Sequence, residues 1–194
     1  MLKEFREYIS ENKLPERDSR ILLAVSGGID SMVMADLFLK SDYITGIAHC
    51  NFSLRGRDSD LDEELVRNYA AVNNIPFFSI KFDTRVYAEK KGLSVQMAAR
   101  ELRYDWFEKI RIENGYNCIA VAHNLNDNIE TLLINLARGT GITGLAGMRP
   151  ASNNIIRPLL FATRADIEDY CRKNKILYRE DKSNAETKYT RNRI

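Results

Sequence analysis

The segment Ser26-Gly27-Gly28-Ile29-Asp30-Ser31 is where this chain carries its most specific chemistry. Two adjacent glycines let a backbone turn tightly and aim several N–H groups at one point. A helix starting there adds its partial positive charge, and the combination makes a cradle for phosphate. The hydroxyls of Ser26 and Ser31 can add donors. A plain strand-to-helix turn capped by serine uses the same residue types, but the SGGxDS spacing is far more specific than a glycine pair. A Walker loop, GxxxxGK[ST], needs a lysine on the β and γ phosphates. This segment offers an aspartate and no lysine, which argues against γ-phosphoryl transfer. An aspartate beside a polyphosphate requires a cation between them, so Asp30 is expected to reach Mg²⁺ or a substrate ammonium.

His123, Asp127 and Glu130 follow at offsets of four and three, which puts the two carboxylates one turn apart on a helix and the histidine just before it. Paired carboxylates can capture a cationic amine; a solvated polar face with a helix-start aspartate would carry the same residues. Zinc fits poorly, with only two histidines in the chain and no cysteine near His123. On another helix Arg100 and Arg103 lie one turn apart, suited to phosphates or to charge building on an α-phosphate, or else to surface salt bridges. His49, Asn51 and Arg55 stand at a strand's end, in a polar loop or against an adenine. The stretch Gly139-Thr140-Gly141-Ile142-Thr143-Gly144 spells GxGxxG, yet it follows a helix where a dinucleotide fingerprint must follow a strand. These glycines are expected to form a loop that helps close the site.

The elements that must position these groups are legible. Ile21 to Val25 is a short apolar, β-rich run of the kind buried on both faces of a parallel sheet. An amphipathic helix carrying Phe5, Tyr8 and Ile9 precedes it. After it the spacing predicts helix Met32 to Lys40, strand Ile44 to His49, helix Asp58 to Asn74, strand Phe77 to Phe82, helix Val95 to Asn114, strand Cys118 to Ala122 and helix Asn126 to Arg138. Alternation of this sort means right-handed βαβ crossovers and an α/β fold with a doubly wound parallel sheet. Within it, Val95, Ala98, Leu102, Trp106 and Ile110 are expected to form one buried stripe, and Ile129, Leu132, Leu133 and Leu136 another on the side away from the carboxylates. The remaining methionines and aromatics are assigned to the core. Further on, an apolar piece spans Ile155 to Leu160, and Thr163 with Asp166 reads as a capping box opening a last helix.

Composition sets the outer limits. The 194 residues, 44% hydrophobic and 29% charged with a net charge of +2, describe an ordinary globular chain with one core, and exclude disorder and fibrous repeats. Three distant cysteines, Cys50, Cys118 and Cys171, give neither a disulfide framework nor a zinc ribbon. The charged N-terminus is unlike a signal peptide and no apolar run reaches membrane-spanning length, so a cytoplasmic protein without membrane association is expected. The polar tail after Leu177 stops at Ile194 without a terminating signal, which reads as a fragment boundary.

SGGxDS resembles the phosphate loop of the PP-loop enzymes, which cut ATP between the α and β phosphates. With HCNFSLRGRDSDLDEELV, AARELRY, HNLNDNIETLLINLARGTGITGL, IIRPLL and YREDKSNAETKYTRNRI, in this order over nearly the full chain, it resembles the catalytic domain of the tRNA(Ile)-lysidine synthetase family. The resemblance implies a Rossmann-like PP-loop domain over residues 1–194, with the family's tRNA-binding C-terminal domains outside this chain. It implies ATP and Mg²⁺, L-lysine, and an isoleucine tRNA with a CAU anticodon whose wobble cytidine is adenylated and then joined to lysine as lysidine. A homodimer is left open.

On the same resemblance ATP meets Ser26, Gly27, Gly28, Ile29, Asp30, Ser31, His49, Asn51 and Arg100; Asp30, Arg103, Asp127 and Glu130 are catalytic; and Asp127, Glu130 and His123 receive the lysine. Asp30 is the expected Mg²⁺ ligand. Lys188, Arg191 and Arg193 either touch tRNA backbone or are solvated. The alternatives are another PP-loop adenylator acting on tRNA, or a fragment that binds nucleotide or tRNA without turnover.

Overall fold

The computed structural model describes residues 1–15, 18–41, 43–139 and 147–180. Seven helices and six strands are found among them: α1 (Leu2–Glu11), β1 (Arg20–Ala24), α2 (Ile29–Leu39), β2 (Ile44–Asn51), α3 (Arg57–Val72), β3 (Phe77–Lys81), α4 (Thr84–Lys91), α5 (Val95–Glu113), β4 (Cys118–Ala120), α6 (Leu125–Ala137), β5 (Ala151–Ser152), β6 (Ile155–Ile156) and α7 (Arg164–Asn174). The sheet order is β3-β2-β1-β4-β6-β5, parallel throughout except for β5, which pairs antiparallel with β6.

The apolar block of β1 sits at the centre, with Ile21, Leu22 and Leu23 wholly buried, because helices cover the sheet on both faces. One core gathers α1, α2, α3 and α7 through residues such as Phe5, Phe38, Val66 and Ile167. The other face packs Leu22, Ala48 and Ile119 against Phe107 of α5 and Tyr116. α2 is apolar nearly all round, as a helix enclosed by others must be. Gly46 is required where β2 meets Tyr116, since a Cβ there would overlap the phenol ring and hydroxyl.

Four expectations are corrected. α4 was not foreseen; its sequence, TRVYAEKK, has no apolar stripe, and it is set by the Asp83 cap onto Val86 N and by Gly92 in the left-handed region at its end. The predicted stripe of α5 starts too early: Val95 is exposed, and Ala98, Ala99 and Phe107 are the helix's buried residues. Met97, assigned to the core, is 58% exposed. The apolar side of α6 is largely exposed, with Ile129, Leu133 and Leu136 at 47%, 58% and 52% exposure and only Leu132 of the expected stripe half-buried. Past β4 the sheet shrinks to the two-residue strands β6 and β5, which offer little surface to cover.

Candidate active site

The parallel strands deliver their functional residues to one edge. β1 leads into the SGG loop and α2, β2 ends on His49 and Asn51, β4 leads to His123 and α6, and β6 leads round to α7. Chain order reverses between β1 and β4, the crevice where ligands of open α/β sheets bind.

Within the SGG loop Gly27 has φ of +93°, a conformation that side-chain-bearing residues rarely adopt, and a Cβ there would come within 3.4 Å of the Asp62 backbone carbonyl. Gly28 is the extended N-cap residue of α2 and no side chain caps that helix, so the N–H groups of Ile29, Asp30 and Ser31 lack helical partners. Ser31 is buried and turned inward: its Oγ accepts from Ser26 N at 3.1 Å and donates to Gly28 O at 2.8 Å. The exposed Ser26 hydroxyl stands nearer the open side, accepting from Gly28 N at 3.3 Å. Ser31 therefore braces the cradle while Ser26 lines it.

Asp30 is joined across the crevice to two residues that the sequence reading did not single out. Asn124 Nδ2 donates to it at 3.3 Å and the Arg164 guanidinium at 2.7 Å. Burial raises its pKa most; Arg164 and the Asn124 hydrogen bond oppose this, and the nearby charge of Asp127 adds to it. Asn124 and Asp127 form the capping box of α6, with Asp127 N donating to Asn124 Oδ1 and Asn124 N to Asp127 Oδ2, both at 3.0 Å. Asn124 had a readable signal, a polar residue three positions before an aspartate at a helix start. Arg164 had none beyond its place after Thr163, whose capping box with Asp166 is present.

A cationic group acts on the same neighbourhood. Burial lowers the pKa of His123, Asp127 opposes that, and Arg157, Arg100 and Arg103 lower it further. His123, Asp127, Arg100 and Arg103 thus share one electrostatic neighbourhood, and His123 Nδ1 is buried without a partner. Arg103 lies over the Phe52 ring at 5.1 Å, and Phe52 stacks on Phe82 at 5.8 Å. Arg100 lies over Tyr104 at 4.9 Å. Among the described residues neither guanidinium forms an ion pair. Glu130 is exposed one turn along α6.

His49 and Asn51 sit on the α3 side. Asn51 is buried, donates to Asp60 at 2.9 Å and Glu63 at 3.2 Å, and accepts from Ser53 N, so its amide donors tie β2 to α3 and its oxygen holds the loop between them. Arg55 NH2 meets Asp62 at 2.6 Å. His49 Nδ1–H donates to Val25 O at 2.9 Å, just ahead of the SGG loop, and its Nε2 is buried without a partner. Burial drives its pKa below the ordinary 6.5 and outweighs the opposing hydrogen bond. A histidine held neutral in the fold stabilises above about pH 6.5 and withdraws that stability as pH falls through the folded pKa. The thermal midpoint is therefore expected to drop between about pH 7 and 5, and His49→Gln to flatten that drop. An identical pH profile for the variant would show that His49 is not held neutral.

Residues 140–146, which contain most of the GxGxxG stretch, and Lys188, Arg191 and Arg193 lie outside the described residues. Among the described residues no three His, Cys, Asp or Glu side chains are grouped to hold a metal, and no helix is long and apolar enough to cross a membrane. The three thiols are free; burial pushes those of Cys50 and Cys118 up to about 12, which keeps them from acting as thiolates.

The family described as the PP-loop domain matches residues 1–194. The chain belongs to the PP-loop family. This PP-loop domain is 47% identical over 191 residues to the tRNA(Ile)-lysidine synthase of Porphyromonas gingivalis, covering 97% of this chain and 42% of the relative. It is 43% identical over 194 residues to that of Parabacteroides distasonis, covering 100% and 44%. The chain thus spans less than half the length of these curated relatives. Among solved structures, the U34-tRNA thiolase NcsA from Methanococcus maripaludis superposes with a TM-score of 0.72 at 18% identity, covering 92% of this chain and 65% of that one. The NH3-dependent NAD synthetase from Campylobacter jejuni gives 0.62 at 14%, covering 98% and 82%. At such identities the PP-loop domain shares their fold.

Proposed function

We propose that this PP-loop domain carries out ATP-dependent formation of lysidine on the wobble cytidine of an isoleucine tRNA with a CAU anticodon, as a cytosolic carbon–nitrogen ligase. The observation that carries the reading is the meeting of both charges beside the SGG loop. Arg100 and Arg103, which form no ion pair among the described residues, act on His123 together with Asp127, and Asp127 in turn acts on Asp30. A polyphosphate needs the first group and a lysine ammonium the second. The names of the relatives supply the product.

In the first step the C2 oxygen of cytidine attacks the α-phosphorus, the bond to the β-phosphate breaks, and pyrophosphate leaves held by the loop's N–H groups and Ser26. Arg103, with Arg100, meets the charge that builds on the α-phosphate. In the second step the lysine ε-nitrogen forms a bond to C2, the C2–O bond breaks and AMP departs. The ammonium must first lose a proton, and the Asp30–Asp127 pair, raised in pKa at Asp30, is the base available. Glu130 and His123 complete the lysine shell. Mg²⁺ is usually held by one or two carboxylates together with substrate phosphates. Asp30 is a carboxylate of that kind, but its Oδ2 takes Arg164 at 2.7 Å and its Oδ1 takes Asn124 at 3.3 Å, so it would hold the ion, which supplies charge neutralisation on the triphosphate, only in place of Arg164.

Thiolation is a poorer reading, because burial pushes the pKa of the Cys50 and Cys118 thiols up to about 12. The deciding experiment incubates the chain with ATP, labelled lysine and the tRNA. AMP release that requires both lysine and tRNA, with label entering the tRNA, is the expected result. Nucleotide binding with no incorporation would reduce the chain to a binding fragment.

A further inference from the structure

The rear of the SGG loop is clamped by residues that the proposed reaction does not use. Arg179, in the extended segment after α7, donates its backbone N–H to the Gly27 carbonyl at 3.0 Å. Its guanidinium forks onto α3, Nε to Asp62 Oδ1 at 2.7 Å and NH2 to Asp58 Oδ1 at 2.8 Å. Asp62 is 6% exposed, and its second oxygen takes Arg55. Gly27 thereby sits between α3, whose Asp62 carbonyl would lie 3.4 Å from a Cβ at this position, and the segment that carries Arg179.

The geometry of a peptide makes this clamp consequential. In a planar trans unit the carbonyl of Gly27 and the N–H of Gly28 point opposite ways. With the carbonyl fixed on Arg179, the Gly28 N–H is turned toward Ser26 Oγ, on the side where the first N–H groups of α2 open. A glycine such as Gly27 adopts either sign of φ at small cost, so an unheld loop can rotate this unit. Rotation would put a carbonyl oxygen, with its partial negative charge, where phosphate is to sit. We infer that Arg179 is a positioning residue for the nucleotide loop: it fixes the Gly27–Gly28 peptide with its oxygen turned away from the phosphates, and Asp58 and Asp62 fix Arg179. The inference rests on the reading of this loop as the polyphosphate site.

Arg179→Gln retains the backbone N–H and removes its anchor. It leaves Asp62 paired with Arg55, so no buried charge is stranded. The test measures ATP binding at equilibrium, lysine binding, and amide hydrogen exchange over residues 26–31 for the wild-type chain, Arg179→Gln, Arg179→Lys and Asp58→Asn. Arg179→Gln is expected to weaken ATP binding about tenfold, the scale of a lost charged hydrogen bond, and to speed exchange at Gly28 and Ile29. Lysine binding should stay level, Arg179→Lys should restore part of the ATP affinity, and Asp58→Asn should show a smaller loss in the same direction. If Arg179→Gln does not fold, Asp58→Asn decides by the same measurements. Unchanged ATP affinity and exchange in the folded variants would overturn the positioning role while leaving the loop's assignment intact. A wild-type chain that binds no ATP would instead overturn that assignment, and the inference with it.

Discussion

Arg103→Ala is expected to lower the rate of lysine-dependent AMP release by about a hundredfold to a thousandfold while the affinity for ATP changes little. The guanidinium lies over Phe52, which is backed by Phe82, so a ring stack and not a carboxylate sets its place. An arginine held in that way keeps its full charge and its donors for an incoming anion. On the proposed reading, ground-state ATP already has the SGG loop's N–H groups and Arg100 to bind it. The demand peculiar to Arg103 arises when negative charge accumulates on the α-phosphate during attack, and that demand falls on kcat. Removing the cation–π contact costs only about 0.5–1 kcal/mol at such a half-exposed position, so the variant should fold. Arg103→Lys keeps the charge but not the planar fork, and should recover only part of the rate. A rise in the KM for ATP at unchanged kcat would make Arg103 a binding residue and move the rate-enhancing role elsewhere.

What was legible in the sequence divides along a physical line. β1, α2 and the capped helices α6 and α7 declare themselves locally, through an unbroken apolar run or an N-cap residue with its partner three positions on. The SGG loop was legible because its glycine pair and the helix start after it are local features, while the remote Arg179 that holds the Gly27 carbonyl was not. The elements misjudged depend on what lies opposite them. The apolar residues of α6 look like a core face until the sheet beyond β4 proves too short to cover them, and α4 lacks a stripe and relies on its caps. The same holds at the site. Asp30 was identified as needing a cation, but its partner in the fold, Arg164, is 134 residues away and belongs to another helix. Arg179 lies 117 residues from Asp62. No spacing rule relates residues that only the closed sheet brings together.

The pairing of Asp30 with Arg164 also bears on how an ammonium is received. Two carboxylates whose charges disfavour one another would leave one of them protonated if nothing intervened. Arg164 opposes that at Asp30, while Asp127 accepts the capping bond from Asn124 N at one oxygen and can meet a second cation at the other. On the proposed reading Asp127 has two separable duties, one to the helix and one to the lysine. Asp127→Asn keeps an oxygen able to accept the Asn124 N–H, so α6 should remain capped. Asp127→Ala forfeits the cap and about 1 kcal/mol of stability with it. Both variants lose the charge, and both are expected to lower lysine-dependent AMP release by at least about a hundredfold, the scale of general-base catalysis, with the KM for lysine raised and ATP binding intact. Asp127→Asn also removes a like charge from beside Asp30, so the Asp30 pKa should fall and the acid limb of the pH–rate profile move to lower pH with it. Were Asp127→Asn to match the wild-type rate while Asp127→Ala alone failed, the carboxylate would be a helix cap only, and lysine capture would have to be sought at Asp30 and Glu130.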